Sequence, residues 1–397
     1  MRVSTQQLFE QGLNGIRNQQ SRLADVQRQL ATGLKVNQPS DDPAAAARIQ
    51  QLERAVAQQQ VFVENSGRAE QRLASEESAL DSAGEVIRRV RELTVQAAND
   101  PVGQDGRQLI AVELRQRLDQ LVSIGNSRDG DGEFMFAGAQ TGTQPFNTVA
   151  GQVQYRGDSQ QRELLIAPAT TLRDGDPGDE VFMRVRDGNG TVRASAAAGN
   201  IGSGVIIAEP GVDNAAFNGD TFTLEFTAPD AFEVTDSGGT VVASGAFEPG
   251  ESIEFAGVSV VVRGTPAAGD QFTVEPARFE SMFSTIDQLA TALESPPGSP
   301  AAQTRQRQAI EDALGQLDNA ENRLLEVRAS VGSRLQGIED LQSTQQDIGL
   351  GLQELVSEIR DLDFAEAIAR LQQDLTTLEA AQQSFARIQG NSLFRFL

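Results

Sequence analysis

The sequence predicts a mainly α-helical chain with an inserted all-β domain, in which long coiled-coil-like helices run in from both termini. Three observations predict it. Residues 1–128 and 279–397 are rich in Gln, Leu, Ala, Arg and Glu and repeat apolar residues at heptad spacing. Residues 130–276 are rich instead in Gly, Thr, Val and Phe, arranged in short alternating runs. Charge follows the same division. Residues 174–276 hold 17 acidic and 4 basic residues, so about a quarter of the chain carries more than half of its net charge of −23.

The pattern delimits five segments. Residues 1–42 form the N-terminal part of a terminal coiled-coil core domain, and 356–397 its C-terminal part. Residues 43–176 form the N-terminal part of a helical domain with a β-hairpin, and 277–355 its C-terminal part. Residues 177–276 are the inserted, surface-exposed β domain.

In the first helix, Phe9, Leu13, Ile16, Leu23, Leu30 and Leu34 form a narrow stripe, with Gln20 and Gln27 expected in its gaps. A second helix begins at Ser40-Asp41-Asp42-Pro43, where a Ser or Asp side chain caps the free N–H groups and Pro fits the first turn. Its stripe includes Leu73, Leu80, Ala83, Ile87 and Val90, and it stops near Asn99-Asp100-Pro101. A third helix covers roughly 104–126, ended by Gly125, Gly130 and Gly132. In the C-terminal arm, Ile310, Leu314, Leu317, Leu324, Val331, Leu335 and Ile338 hold one register. Leu341, Ile348, Leu352, Leu355, Ile359 and Leu362 continue it after a three-residue step, a stammer. A last phase runs from Phe364 through Ile368, Leu371, Leu375, Leu378 and Phe385. Residues 305–355 alone would span roughly 75 Å as a helix. Gly332, Gly337, Gly349 and Gly351 invite bends in it.

In the middle, strands are expected at Phe134–Phe136, Val153–Tyr155 and Leu164–Ile166. A hairpin is expected from Val181–Arg186 through the turn Asp187–Gly190 to Thr191–Arg193. Thr221–Phe226, Phe232–Val234, Thr240–Ala243, Ser252–Phe255, Val258–Arg263 and Gln271–Val274 complete a small antiparallel sandwich or barrel.

Composition excludes most chemistry. The chain of 397 residues has no Cys and no His, a single Lys (Lys35), no Trp and one Tyr. Disulfides, His-based triads and Cys/His metal sites are therefore absent. A net charge of −23 repels phosphate and anionic headgroups, which argues against nucleic acid and membrane surfaces. No apolar run reaches the roughly 18 residues of a membrane span. The start lacks the apolar region of a secretory signal peptide, so a cytoplasmic protein or one exported by a dedicated machine is expected. Asp129-Gly-Asp-Gly-Glu133 opens like a calcium loop, but its twelfth position is Gln140 rather than a carboxylate. Asp174, Asp176 and Asp179 lack ligand spacing as well, and both groups read as solvated turns. No enzyme, cofactor or metal is expected. A two-helix pair at the chain ends has little core of its own, which points to polymerisation or to folding upon assembly.

Residues 29–48, Gln-Leu-Ala-Thr-Gly-Leu-Lys-Val-Asn-Gln-Pro-Ser-Asp-Asp-Pro-Ala-Ala-Ala-Ala-Arg, resemble the N-terminal signature of the bacterial flagellin family, and Pro39–Pro43 its hook-associated branch. Residues 361–397, from Asp-Leu-Asp-Phe-Ala-Glu-Ala-Ile to Ser-Leu-Phe-Arg-Phe-Leu, resemble that branch's C-terminus. The resemblance covers both arms, roughly 1–170 and 277–397, and implies a flagellin-like multi-domain rod. It implies an extracellular structural component of the flagellum that sits at the hook–filament junction. The chain would polymerise with itself, with hook-associated protein 1 beneath and flagellin above. Export would run through the flagellar type III channel, without a cleaved signal peptide and with an export chaperone on the C-terminal helix. On this reading Ile368, Leu371, Leu375, Leu378, Phe385, Leu393, Phe394, Phe396 and Leu397 are the assembly and chaperone contacts, and Phe9, Leu13, Ile16, Leu23 and Leu30 the N-terminal seam. Arg88-Arg-Val-Arg-Glu-Leu-Thr-Val-Gln96 also resembles the flagellin segment recognised by Toll-like receptor 5, which implies Arg89, Leu93 and Glu113 as contacts. The alternatives are the flagellin filament subunit itself and, more remotely, a hydrolase or adhesin activity in the β insert.

Overall fold

A computed structural model describes residues 5–211, 213 and 215–393. Six helices are present among them: α1 Thr5–Thr32, α2 Pro43–Ala98, α3 Gly103–Gly125, α4 Met282–Glu294, α5 Pro300–Arg360 and α6 Phe364–Leu393. The strands are β1 Phe146–Val149, β2 Gln152–Tyr155, β3 Glu163–Ala167, β4 Thr170–Arg173, β5 Val185–Arg186, β6 Val192–Ala196 and β7 Val205–Ala208. They continue with β8 Phe222–Ala228, β9 Ala231–Thr235, β10 Val241–Ala246, β11 Ser252–Phe255, β12 Val258–Arg263, β13 Gln271–Pro276 and β14 Phe279–Glu280. The chain divides into two compact units, 1–64 with 340–397, and 65–339.

The first unit is built on α1 and α6 with the nearer parts of α2 and α5. Gln19 and Val26 are buried in α1 whereas Gln20 and Gln27 are exposed, so the expected gap-fillers are corrected by one residue. The observed series Ile16, Gln19, Leu23, Val26, Leu30 steps 3-4-3-4 along one face. Gly33, with φ 72°, ends α1 in the left-handed conformation. The chain beyond it then pairs with the segment after α5: Lys35 N–H donates to Arg360 O at 2.7 Å, and Leu362 N–H to Gly33 O at 3.0 Å. Asp42 starts α2 as expected, its Oδ1 accepting from Ala44 and Ala45 N–H at 3.0 Å each. A small core of Val36, Ile49, Leu52 and Val356 lies beside it.

In the second unit α2 and α5 carry the core. Ala69, Leu73, Glu76, Leu80, Ala83, Ile87, Val90, Thr94 and Ala97 are all buried, stepping 4-3 without interruption. On α5, Ile310, Leu317, Leu324, Val331 and Ile338 are buried at every seventh residue. The expected stammer does not occur. The same seven-residue step continues in the first unit through buried Gln345 to half-buried Leu352 and Ile359, while Ile348 and Leu355 are 49% and 45% exposed. A polar residue at a seam position concealed the register and made the outer stripe look like the seam. The four glycines leave α5 helical throughout.

The helix α4, which periodicity did not reveal, packs on α3 through Phe283, Ile286, Leu289 and Leu293. Ser281 caps it, accepting from Ser284 N–H at 2.9 Å. Phe146 meets Phe283 and Phe182 in one aromatic group, with ring centroids 5.0 Å and 5.6 Å apart. Two strand expectations are corrected here. Asp179–Met183 form a π-helical turn, because Val181 and Phe182 are both fully buried and no strand points two neighbours the same way. The strand β5 that follows pairs with β14, not with β6, although Asp187–Gly190 does turn. Phe134–Phe136 make only an isolated bridge at Phe134, since all three side chains are buried. Strands β1, β4, β7 and β14 were not foreseen.

The insert is a sandwich rather than a barrel. A five-stranded sheet, β10-β9-β8-β13-β6, and a three-stranded sheet, β11-β12-β7, share one core that includes Phe222, Leu224, Phe226, Val260, Val262 and Phe272. Val192 and Pro276 are register partners, so the sandwich is entered and left side by side. Val181, Phe182 and Val185 belong to the helical core instead. Replacing 192–276 by a short Gly-Ser linker should therefore leave the helical core folded, read as retained helical circular dichroism and a cooperative melt. Loss of the melt would show that the helical core needs the insert. The register of α5 gives a sharper test. Leu324→Ala should cost about 2–5 kcal/mol in denaturant melts of the full chain, and Leu355→Ala within about 0.5 kcal/mol of nothing. Equal losses at the two positions would contradict the seam described above.

Candidate assembly surface

The helix α6 starts where Asp363 Oδ1 accepts from Ala365 and Glu366 N–H, at 2.9 and 3.1 Å. From there its apolar residues form two neighbouring stripes of one broad apolar arc. Ala367 is buried, and Leu371, Leu378 and Phe385 are half-buried on the face toward α1. Phe385 meets Phe9 at 5.0 Å between ring centroids, and a side chain at Gly12 would come within 2.8 Å of the Phe385 ring. Asp374 accepts from the Gln19 amide at 2.8 Å in the same seam. Leu13, Ile16, Leu23 and Leu30 are half-buried along it. The adjoining, more exposed stripe holds Phe364, Ile368 and Leu375, which are 53%, 47% and 41% exposed. Ile348, Leu350 and Leu355 are exposed on α5 of the same unit. Of the nine residues expected as one contact set, Leu371, Leu378 and Phe385 are thus half-buried and Ile368 and Leu375 exposed. Leu393 is the last residue of α6, and Phe394, Phe396 and Leu397 lie outside the described residues.

In the second unit Arg89 Nε donates to Glu113 Oε1 at 2.9 Å, and Arg117 reaches the same oxygen at 3.3 Å. The Arg89 hydrogen bond, more than any other cause, holds the Glu113 carboxyl below its usual range. Leu93, the third residue of that motif, is buried in the helical core.

Residues 129–133 do turn, with Asp131 exposed, but Asp129, Asp174 and Asp176, expected in solvent, are instead largely buried and paired with arginines. Arg72 binds Asp129 and donates to the Phe134 and Met135 carbonyls at 3.2 and 3.4 Å. Arg162 donates through Nε to Asp174 at 2.8 Å and through Nη1 to Glu133 at 2.8 Å. Arg334 binds Asp176, whose N–H donates to Glu76 Oε1 at 3.0 Å. Three arginines, Arg72, Arg162 and Arg334, make this burial possible, and nothing in local sequence marks it, because the partners come from α2, two loops and α5. Burial pushes the Glu76 carboxyl up to about 8, with the Asp176 charge adding to the rise and Arg334 and Arg72 opposing it. The folded value lies above the ordinary 4.5, so the native state holds a proton that the unfolded chain releases, and stability falls as pH rises between about 4.5 and about 8. Glu76→Gln should flatten that slope, so that the melting temperature lost between pH 6 and 8.5 shrinks. Part of the slope remains, because burial also pushes Asp312 up to about 7. An unchanged slope in the variant would show that Glu76 does not titrate in this range.

Among the described residues no group of three or more His, Cys, Asp or Glu is placed to hold a metal ion, and no helix is long and apolar enough to cross a membrane. Comparison with known proteins gives a consistent picture. The bacterial flagellin N-terminal helical region matches residues 3–141, and the bacterial flagellin C-terminal helical region matches residues 314–397. The flagellar hook-associated protein 3 of Escherichia coli is 26% identical over 396 residues, 100% of this chain and 99% of that protein. The crystal structure of Xanthomonas campestris FlgL is 36% identical, with a TM-score of 0.72 over 77% of this chain and 99% of that one. The flagellar junction protein FlgL of Legionella pneumophila is 29% identical, with a TM-score of 0.70 over 78% of this chain and 100% of that one. By contrast, a flagellar filament core protein of Treponema phagedenis matches only 40% of this chain and 57% of its own length. The two helical regions at opposite ends, in the family's order and covering more than half of the residues between them, make this chain a member of the bacterial flagellin family.

Proposed function

We propose that the chain is the adaptor that joins the flagellar hook to the flagellin filament, as a structural polymer of its own copies. The match along the whole length of hook-associated protein 3, against a partial match to filament proteins, favours the junction over the bulk filament subunit. The observation that carries the mechanism is the division of α6. Its inner edge is taken up by α1, while Phe364, Ile368 and Leu375 of α6 and Ile348 and Leu355 of α5 remain exposed. Each large apolar side chain left wet forgoes up to roughly 1.5–3 kcal/mol, which neighbouring subunits would recover. Leu393, Phe394, Phe396 and Leu397 belong to the same proposed contact. Hook-associated protein 1 beneath and flagellin above are the proposed neighbours.

Before assembly, the proposed partner is an export chaperone that grips Ile368, Leu371, Leu375, Leu378 and Phe385 while the α1 seam is open. Export through the flagellar type III channel, without a cleaved signal peptide, belongs to the same proposal, and a chain without Cys has no disulfide to obstruct threading. No catalytic step is proposed for the insert. Recognition of Arg89, Leu93 and Glu113 by Toll-like receptor 5 stands as a secondary proposal. The exposed part of that motif is the Arg89–Glu113 pair, and Leu93 supports it from within the core.

The test is the pair Ile368→Glu and Leu375→Glu, expressed in a strain that lacks the chain. The purified double variant should melt within a few degrees of the parent, while cells show hooks without filaments and shed flagellin into the medium. Normal filaments on a folded, exported double variant would remove the outer face of α6 from the assembly contact. Filaments built mainly of this chain would instead favour the filament-subunit reading.

A further inference from the structure

We propose that the buried ionic cluster of the second unit holds one ordered water molecule in the space that Gly175 leaves open, bound to Arg72 Nε, Glu76 Oε2 and the Met135 carbonyl. Among the described residues, Arg72 Nε, Glu76 Oε2 and Asp174 Oδ1 are buried with no hydrogen-bond partner in the protein. Their residues are 6%, 1% and 1% exposed, so bulk water does not satisfy them. Groups of this kind are rarely left unpaired, at a cost that a bridging water removes. Three polar atoms converge on a single point. A Cβ built on Gly175 would lie 3.5 Å from Arg72 Nε, 3.7 Å from Glu76 Oε2 and 3.8 Å from Met135 O. A cavity of about 10 Å³ opens there, with Arg72, Met135, Asp174 and Gly175 among its walls. That is about the smallest volume that holds one water.

The donor set selects the ligand. Arg72 Nε–H only donates, and the Met135 carbonyl only accepts. Water satisfies both at once, accepting from the guanidinium and donating to the carbonyl. Its second hydrogen suits Glu76 as a carboxylate, and its second lone pair suits Glu76 as an acid. Asp174 Oδ1, on the same cavity wall, is a further acceptor. A cation would meet the Arg72 guanidinium, and an anion would meet Glu76 and Asp174. The water completes the hydrogen bonding of a cluster that ties α2 to the loop 127–135 and to the residues after β4.

Substitutions at Gly175 separate hydration from packing by sign. The backbone there is outside the left-handed region, and all three contacts of an added Cβ are at ordinary van der Waals distance, so alanine fits sterically. On packing and chain entropy alone, Gly175→Ala should raise the melting temperature. With a water displaced, it should lower the melting temperature of the full chain by several degrees. Gly175→Ser, whose hydroxyl both donates and accepts, should recover a good part of that loss. A crystal structure of the parent at a resolution that shows ordered solvent should place one water within hydrogen-bond reach of Arg72 Nε and Met135 O. A melting temperature unchanged or raised in the Ala variant would overturn the proposal. So would equal losses in Ala and Ser, or a parent site without ordered density.

Discussion

A seven-residue repeat is the constraint on which the rest of the structure depends. On α5 it runs from Ile310 to Ile359 without a slip, and on α2 from Ala69 to Ala97 in steps of four and three. A helix with such a narrow apolar seam has to find partners on a single line. In the second unit α3, α4 and the β-hairpins close over that line, and the Phe146, Phe182 and Phe283 group seals it. Every later feature inherits its position from this register: which carboxylates are buried, which edge the insert presents to α5, and which residues of α5 and α6 face outward.

Polar residues within the seam are the informative exceptions. Thr94 satisfies its own hydroxyl by donating to Val90 O at 2.7 Å, so it interrupts nothing. Glu76 cannot be satisfied locally and draws Asp176, and with it Arg334, into the core. Gln308, also buried on α5, works outside the seam. Its amide accepts from Ile206 N–H at 2.9 Å and donates to Ile206 O at 2.8 Å, filling in for a missing strand beside β7. One side chain thereby covers the edge of the three-stranded sheet that faces α5, which is how the insert is held without a continuous sheet.

The pattern of what sequence reveals follows from range. Several helix ends were legible, because caps and glycines act within four residues: Asp42 starts α2 and Gly125 ends α3 as their types predict, whereas the stop at Gly33 was not read. Alternating strands such as β8 were legible for the same reason. The register of α5 beyond Ile338 was not, since a buried Gln345 reads as a break when only apolar residues are tracked. The turn at Val181 and Phe182 was misread as a strand because two adjacent buried residues resemble one until the helical core that receives both is known. The ionic cluster was least legible of all. Its residues are scattered from Arg72 to Arg334, and each alone looks like an ordinary surface charge. The assembly residues were legible as a set of apolar positions but not in their different exposure.

That last difference bears directly on how such a chain can be both a monomer and a polymer subunit. A narrow apolar stripe would have to choose between α1 and a neighbouring subunit. The apolar arc of α6 is broader: Leu371, Leu378 and Phe385 are half-buried along its α1-facing edge, and Phe364, Ile368 and Leu375 stay exposed along the adjoining edge. The inner seam is thin, with polar Gln19 and Asp374 at its centre, and it gives up little when it opens. A seam of that strength suits the unfolded passage and refolding proposed above. In the proposed assembly the outer stripe supplies what the inner seam lacks, where another copy covers it. The proposal thereby ties the stability of the terminal helices to assembly and gives the weak Gln-bearing seam a role in the contact.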